Sequence, residues 1–223
     1  MKAKSRPHLK PHHRQQRCTW AETVKGGVNF RDVLWTDEKR FNPDEHDHFA
    51  YFRHDLRKEV PKRTARRFGG GGLMFGGGFC ACTPGIRWLV KVDGNLKATK
   101  YQELLTQHLL PKHPRRLKKR RTLIFQQDNA SPHSAQSTKE FLQRHFTYVL
   151  DWPPRSPNLN PIENTWGLMA KRVYVGHRQY SILEELEAAV IHCWSNVSQQ
   201  EFERLADYVQ DRVLEVLKRN TSS

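Results

Sequence analysis

Residues 123–136 read LIFQQDNASPHSAQ, an apolar run that ends in a cluster of polar residues. The apolar residues predict a buried strand over 122–127, and Asp128 follows where the chain must turn. An Asp-Asn pair is common turn chemistry, because both side chains can bond to nearby backbone groups. The alternative is that the strand presents the Asp128 carboxylate at its carboxyl end, where α/β sheets bind ligands. Position 128 alone leaves both interpretations open.

The order of strands and helices along the chain indicates a mixed α/β fold. Before Asp128, the sequence predicts strands over 33–37, 49–53, 73–81 and 86–92 and helices over 14–24 and 99–110. After it, a helix is predicted over 134–145 and a strand over 148–152, and then only helices follow. We therefore expect an α/β domain with a mixed sheet flanked by helices and a helical C-terminal segment.

Short motifs predict some of the local structure. Ser181 precedes Glu184 by three residues, which is the spacing of a capping box at a helix start. Ser198 precedes Glu201 in the same way. The glycine-rich stretch 69–78 lacks the Lys-Ser/Thr of a P-loop, so we expect a tight hairpin there rather than a phosphate cradle.

The chain is strongly basic. Its 223 residues include 38 Lys and Arg against 23 Asp and Glu, which gives a formal net charge of +15. This excess attracts polyanions, and counterion release makes nucleic acid the expected partner. No apolar run approaches the roughly 20 residues of a membrane helix. We therefore expect no membrane partner and an intracellular protein.

Charge also suggests how the chain is divided. Residues 1–30 are predicted to be a basic arm or linker with a short helix, residues 31–218 the main domain, and residues 219–223 a disordered tail. Within the main domain, residues 111–121 hold seven Lys or Arg and no acidic residue. Such a run is typical of a DNA-backbone contact or a nuclear localisation signal, and a solvated loop is the structural alternative. The cations assigned here to DNA binding are Arg115, Arg116, Lys118, Lys119, Arg120 and Arg121.

Three carboxylates stand at the ends of predicted elements. Asp37 ends the first strand, Asp128 ends the later one, and Glu163 opens a helix, with 90 and 34 residues between them. Each has a structural alternative. Asp37 would cap a turn, Asp128 would form an Asx-turn, and Glu163 would complete a capping box three residues after Asn160. Glu38 is expected on the opposite face of the strand from Asp37 and is left out of the site.

The segment before Glu163 is stiff. Prolines at 153, 154, 157 and 161 fix φ and restrict the residues before them, so the loop holds the first turn of the helix in place. Trp166 lies in the apolar stripe of that helix and is predicted to brace Glu163 from the core. The three acids can then converge, and clustered carboxylates repel one another unless cations lie between them. Hard oxygen ligands suit Mg²⁺, and a pair of such ions promotes phosphodiester cleavage.

Three segments carry a family resemblance: WTDE at 35–38, QQDNASPH at 126–133 and WPPRSPNLNPIENTWGLMAKRVY at 152–174. They resemble the DDE transposases of the mariner superfamily, in the branch whose third acid is Glu after 34 residues. The resemblance implies a ribonuclease H-like fold with a five-stranded sheet, a site with two Mg²⁺ or Mn²⁺ ions, and cut-and-paste movement of DNA in the nucleus. Asp37, Asp128 and Glu163 fall on the family's catalytic, metal-binding triad.

The resemblance also implies partners. These are transposon ends and target DNA, with two subunits bringing two ends together, so a homodimer is expected and a small-molecule substrate is not. In the family two helix-turn-helix units precede the catalytic domain, and the chain resembles the part from the linker onwards. His133 matches a histidine of the family motif and is assigned to DNA binding, as a residue that orients a phosphate. Its alternatives are to orient Asp128 or to cap the helix that follows.

Two other functions fit the same residues. One is a domesticated, catalytically silent DNA-binding protein derived from a transposon. The other is a ribonuclease H-like nuclease without strand transfer. Both retain the basic surface, and they differ from a transposase in the products that they form on DNA.

Overall fold

The computed structural model describes residues 9–44, 71–81, 86–112, 123–146 and 148–221. The predicted strand over 49–53 and the basic residues from Arg115 to Arg121 lie outside these ranges. Among the described residues no helix is long and apolar enough to cross a membrane.

One mixed sheet of five strands forms the centre of the domain, which confirms the sheet predicted from the sequence. The strands are β1 (Val33–Phe41), β2 (Leu73–Cys80), β3 (Arg87–Val92), β4 (Ile124–Gln126) and β5 (Tyr148–Val149). Their order is β3-β2-β1-β4-β5. β1 pairs antiparallel with β2 and parallel with β4, so it joins the antiparallel half of the sheet to the parallel half.

Two predictions about β1 and β2 were wrong. Asp37 does not end β1, because pairing with β2 carries the strand on to Phe41 opposite Leu73. The glycine-rich stretch does not form a hairpin in the part that is described. Gly76, Gly77 and Gly78 lie inside β2, and close packing of tryptophan rings leaves no room for a side chain at Gly77 and Gly78.

Seven α-helices are present in the described part of the chain. They are α1 (Pro11–Val24), α2 (Ala98–Leu104), α3 (Ser131–Ser134), α4 (Gln136–His145), α5 (Pro161–Val173), α6 (Leu183–Ser195) and α7 (Gln199–Thr221). A π-helical turn over Leu105–Leu109 and a 3-10 turn over Leu110–Lys112 continue α2. The predicted helical C-terminal segment is confirmed by α5, α6 and α7.

Of the two predicted capping boxes, one is present. The backbone N–H of Ser198 donates to Glu201 Oε2 at 2.8 Å, and the Glu201 N–H donates to Ser198 Oγ at 3.2 Å. The box at Ser181 was a wrong prediction. Helix α6 begins at Leu183 with Ile182 as its N-cap, so Ser181 lies one residue too early to cap it.

Helices cover both faces of the sheet, and alternation along β1 assigns residues to each face. Val33 and Trp35 belong to the core shared with α1, α5, α6 and α7. Leu34 points the other way, into the core shared with α2 and α4. Odd-numbered residues of β1 therefore face α5, and even-numbered residues face α2.

The helix predicted within residues 1–30 is α1, and it packs on the main domain. Trp20, Ala21 and Val24 of α1 are buried in the same core as β1, and α1 packs along α7. At the other end, α7 continues to Thr221, so the predicted tail begins inside a helix; residues 222–223 lie outside the described part.

Candidate active site

Asp37 and Asp128 occupy equivalent positions relative to the neighbouring parallel strands β1 and β4. The last parallel pair joins Trp35 to Gln126, and each aspartate lies two residues beyond it. Hydrogen bonds fix this end of the sheet, because Thr36 Oγ1 donates to the Gln126 carbonyl at 2.7 Å. The two carboxylates are thus carried to the carboxyl edge of the parallel half, where α/β sheets bind ligands.

Glu163 is brought to the same edge by the start of α5. The Asn160 side chain accepts from the N–H of Ile162 at 3.3 Å, which makes Asn160 the N-cap. Its Nδ2 also donates to the Thr36 carbonyl at 3.2 Å and so ties the helix start to β1. The capping-box alternative for Glu163 does not apply, because the Asn160 N–H donates to the Pro157 carbonyl instead. Glu163 is exposed and not used as a cap.

Electrostatics shows that these acids lie close enough to affect one another. Burial raises the pKa of Asp37 to about 8, and the charges of Glu163, Glu38 and Asp128 add to this shift. The part of the Glu163 side chain that is shielded from water likewise raises the pKa of this carboxyl; the charge of Asp128 adds to the shift and that of Lys39 opposes it. Raised pKa values in two neighbouring acids are typical of a functional site.

Trp166 orients Asp37. Its indole Nε1 donates to Asp37 Oδ2 at 3.1 Å, and the ring is 1 % exposed. The ring fits because residue 77, opposite Asp37 on β2, is glycine: a Cβ there would lie 2.8 Å from Trp166 Cη2. The core role predicted for Trp166 is confirmed by its burial, and its bond to Asp37 was missed. The signal was in the sequence, since a tryptophan with a donor N–H lies one helical turn after Glu163.

Asp128 is held by two donors on one oxygen. Its Oδ1 accepts from the Ala130 N–H at 2.9 Å and from His133 Nδ1 at 2.6 Å. The first bond is the Asx-turn that the sequence allowed, so turn formation and presentation of the carboxylate occur together. Burial raises the pKa of Asp128, but these two hydrogen bonds outweigh it and the net pKa is lowered.

His133 is not at the surface. Its side chain is 3 % exposed, so a direct contact with DNA does not fit, and the alternative in which it orients Asp128 does. Burial favours the neutral ring, but the hydrogen bond to Asp128 and the nearby carboxylate of Glu38 outweigh it and raise the pKa of His133 to about 9. Glu38 points to the opposite face from Asp37, as alternation predicts, and there its Oε1 lies 3.4 Å from His133 Nε2. The sequence argument left Glu38 out because Glu38 and His133 lie in separate motifs, and neither motif predicts that the two side chains meet on this face of the sheet.

Asn129 links the site to the proline-rich loop. Its Nδ2 donates to the Trp152 carbonyl at 2.8 Å, so the residue after Asp128 is tied to the segment that delivers Glu163. On the outer side of α5, Arg212 donates to Asn164 Oδ1 at 3.2 Å. The first contact connects the segments that carry Asp128 and Glu163, and the second ties α5 to α7.

The residues suit a hard divalent cation by their chemistry. All three are carboxylates, and Asp128 keeps 47 % of its side chain exposed, so an ion can reach it. In the part of the chain that the structure describes, no three His, Cys, Asp or Glu side chains are already arranged to hold a metal ion. The Asp37 carboxylate is turned towards Trp166, and that of Asp128 is turned towards His133. The site therefore suits a divalent cation by the chemical type of its ligands and by their place at one edge of the sheet.

Residues 32–187 match the sequence profile described as DDE superfamily endonuclease, which covers more than half of the chain. The chain belongs to the DDE superfamily endonucleases. Among its relatives is the Tc3 transposase of Caenorhabditis elegans, 34% identical over 218 residues, which are 97% of this chain and 64% of that protein. The chain therefore spans about two thirds of the length of this curated relative.

Solved structures of the Mos1 mariner transposase share the fold of this DDE endonuclease. A paired end complex with Mn aligns with a TM-score of 0.78 at 18% identity, over 98% of this chain and 66% of that one. The isolated Mos1 catalytic domain aligns with a TM-score of 0.73 at 16% identity, over 97% of both chains. These matches confirm the predicted ribonuclease H-like fold, and the family match confirms the resemblance seen in the sequence.

Proposed function

We propose that this DDE endonuclease is the catalytic domain of a transposase, which cleaves DNA phosphodiesters with a divalent metal and joins the freed 3′ end to target DNA. The observation that carries the proposal is the position of Asp37 and Asp128, each two residues beyond the last pair of neighbouring parallel strands, with Glu163 delivered to the same edge. The Tc3 and Mos1 transposases, which the chain resembles in sequence and fold, support this assignment.

Asp37, Asp128 and Glu163 are the residues that would hold two Mg²⁺ or Mn²⁺ ions. When bound, such ions activate the attacking oxygen and stabilise the leaving one. The chain itself supplies orientation: Trp166 fixes Asp37, the Asx-turn fixes Asp128, and Asn160 fixes the helix that bears Glu163. The Mos1 paired end complex contains Mn, which agrees with this choice of cation.

The proposed partner is DNA, as both transposon ends and target. The net charge of +15 supports binding to a polyanion, with an affinity that falls steeply as salt rises. We assign contacts with the DNA backbone to Arg115, Arg116, Lys118, Lys119, Arg120 and Arg121. The paired end complex of Mos1 supports pairing of two ends, and we extend to this chain a homodimer and a place in the nucleus.

A single incubation tests the proposal. The protein is mixed with labelled DNA that carries a pre-cut 3′ end, together with unlabelled target and Mg²⁺ or Mn²⁺. Joined products support a transposase, hydrolysis alone a nuclease, and binding without products a silent DNA-binding protein.

The matched variants are Asp128→Asn and Asp207→Asn, which remove one carboxylate charge each. We expect Asp128→Asn to lower product formation by roughly three orders of magnitude while DNA binding is kept. Asp207→Asn lies on α7 in an ion pair with Arg31 and should leave product formation unchanged. Equal activity of wild type and Asp128→Asn would contradict the proposal.

A further inference from the structure

A buried histidine connects Asp128 to a fourth acid. His133 Nδ1 lies 2.6 Å from Asp128 Oδ1, and its Nε2 lies 3.4 Å from Glu38 Oε1. The Glu38 contact is longer than a good hydrogen bond, and in the described part of the chain Nε2 is buried without a hydrogen-bond partner. A buried imidazole with one ring nitrogen on Asp128 and the other facing Glu38 is a costly arrangement, which calls for a function.

The imidazole is held rigidly by residues that do not belong to the acid cluster. The ring of Tyr101 packs against it with 4.3 Å between ring centroids. Tyr101 also donates its hydroxyl proton to Gln127 Oε1 at 3.0 Å, and Gln127 Nε2 donates to the His133 carbonyl at 3.0 Å. Because both the ring and the backbone of His133 are fixed, the histidine determines where Asp128 points.

The bonds to Asp128 are one-sided. An ionised carboxylate can only accept, so His133 Nδ1 is the donor, and Ala130 N–H donates to the same Oδ1. In the described ranges no hydrogen bond is formed by Oδ2. One oxygen is therefore anchored, while the half-exposed remainder of the carboxylate faces outward.

We propose that Glu38 and His133 form a positioning pair, which aims Asp128 and thereby increases the affinity of the site for a divalent cation. This inference rests on the proposed function, because it concerns the carboxylate that would hold the ion. His133 acts through Asp128 and does not touch the ion, and Glu38 acts through His133. Partners of this kind around a metal site change its affinity by about tenfold to a hundredfold when they are removed.

Metal binding measured by calorimetry provides the test, with Mn²⁺ alone as the probe and no DNA present. His133→Leu removes both ring nitrogens, and we expect its Mn²⁺ dissociation constant to rise by about tenfold or more. His133→Asn keeps an N–H near the position of Nδ1 and should remain within roughly threefold of wild type. This rescue by the conservative variant separates positioning from simple filling of space.

His192→Leu is the matched control. It makes the same change at an exposed histidine of α6, outside the acid cluster, so its Mn²⁺ affinity should equal that of wild type. Thermal unfolding in EDTA checks that each variant folds. If His133→Leu does not fold, Glu38→Gln replaces it, with an expected loss of about tenfold in Mn²⁺ affinity.

The outcomes separate the two proposals. Unchanged Mn²⁺ affinity in His133→Leu, or in Glu38→Gln where it replaces it, would overturn the positioning pair and leave the metal site standing. Absence of Mn²⁺ binding in wild type would overturn the metal site and the positioning pair with it. A loss in His133→Leu that His133→Asn restores supports the pair.

Discussion

Two groups of carboxylates in this molecule have opposite surroundings. On α7, Asp207 accepts two hydrogen bonds of 2.6 Å from Arg31, which lower its pKa. At the carboxyl edge of the sheet, burial and neighbouring acids raise the pKa of Asp37 to about 8. Asp207 stabilises the folded chain because the chain itself provides its cation, Arg31. The second group costs folding free energy, and a cation from outside would offset that cost.

The largest expected effect on stability concerns the glycine that makes the site possible. Gly77→Ala places a Cβ 2.8 Å from the buried ring of Trp166, so the ring must move away from Asp37. We expect the free energy of unfolding in urea to fall by about 2 kcal/mol, as in other overpacked cores.

The control for this change is Gly167→Ala. Nothing lies within 4 Å of a Cβ at Gly167, which is inside α5, so alanine there should raise stability by up to about 1 kcal/mol. If Gly77→Ala were as stable as wild type, the close packing of Trp166 over β2 would be refuted.

A smaller effect of opposite sign is expected at Asp37. Asp37→Asn removes a charge whose folded pKa is raised, so the metal-free variant should be more stable than wild type at pH 7, on the order of 1–2 kcal/mol. The gain in stability should be smaller than the raised pKa alone would imply, because part of the Asp37 side chain is open to water.

The stability difference between Asp37→Asn and wild type should depend on pH. Both states are protonated below about pH 4, where Asp37 costs nothing, and the cost grows as pH rises towards 8, since the unfolded chain ionises first. Urea unfolding in EDTA at several pH values measures it. A difference that does not vary with pH would show that the pKa of Asp37 is not raised in the folded state.

The smallest effect on stability is expected at Asp207, and its sign is opposite to that of Asp37→Asn. Asp207→Asn should lower stability slightly, and less so in high salt, because the pair with Arg31 is half exposed on both sides. Equal signs for Asp37→Asn and Asp207→Asn would remove the distinction between the two groups.

The sequence predicted the positions of the acids better than their surroundings. Asp128 and Glu163 could be placed because local signals surround them: an apolar strand before one, and an Asn-Pro helix start before the other. The extent of β1 beyond Asp37 could not be predicted, since it depends on pairing with β2, which is distant in sequence. Tertiary pairing overrides local pattern in this way.

Contacts between distant segments also explain why the residues around the acids could not be predicted. Gly77, Trp166 and Asp37 come from three separate segments, and their contact follows from β1–β2 register and from the path of α5. Glu38 was excluded by a correct argument about strand alternation. That argument could not predict that His133 lies next to Glu38 on the opposite face of the sheet.

Diffraction from crystals grown with Mn²⁺ tests most directly whether the acids share a metal. Anomalous scattering should show Mn²⁺ bound between the carboxylates of Asp37 and Asp128, with Glu163 facing the same ions, and the peak should vanish in Asp128→Asn. Mn²⁺ found only away from these three side chains, at a concentration that supports DNA cleavage, would contradict the account.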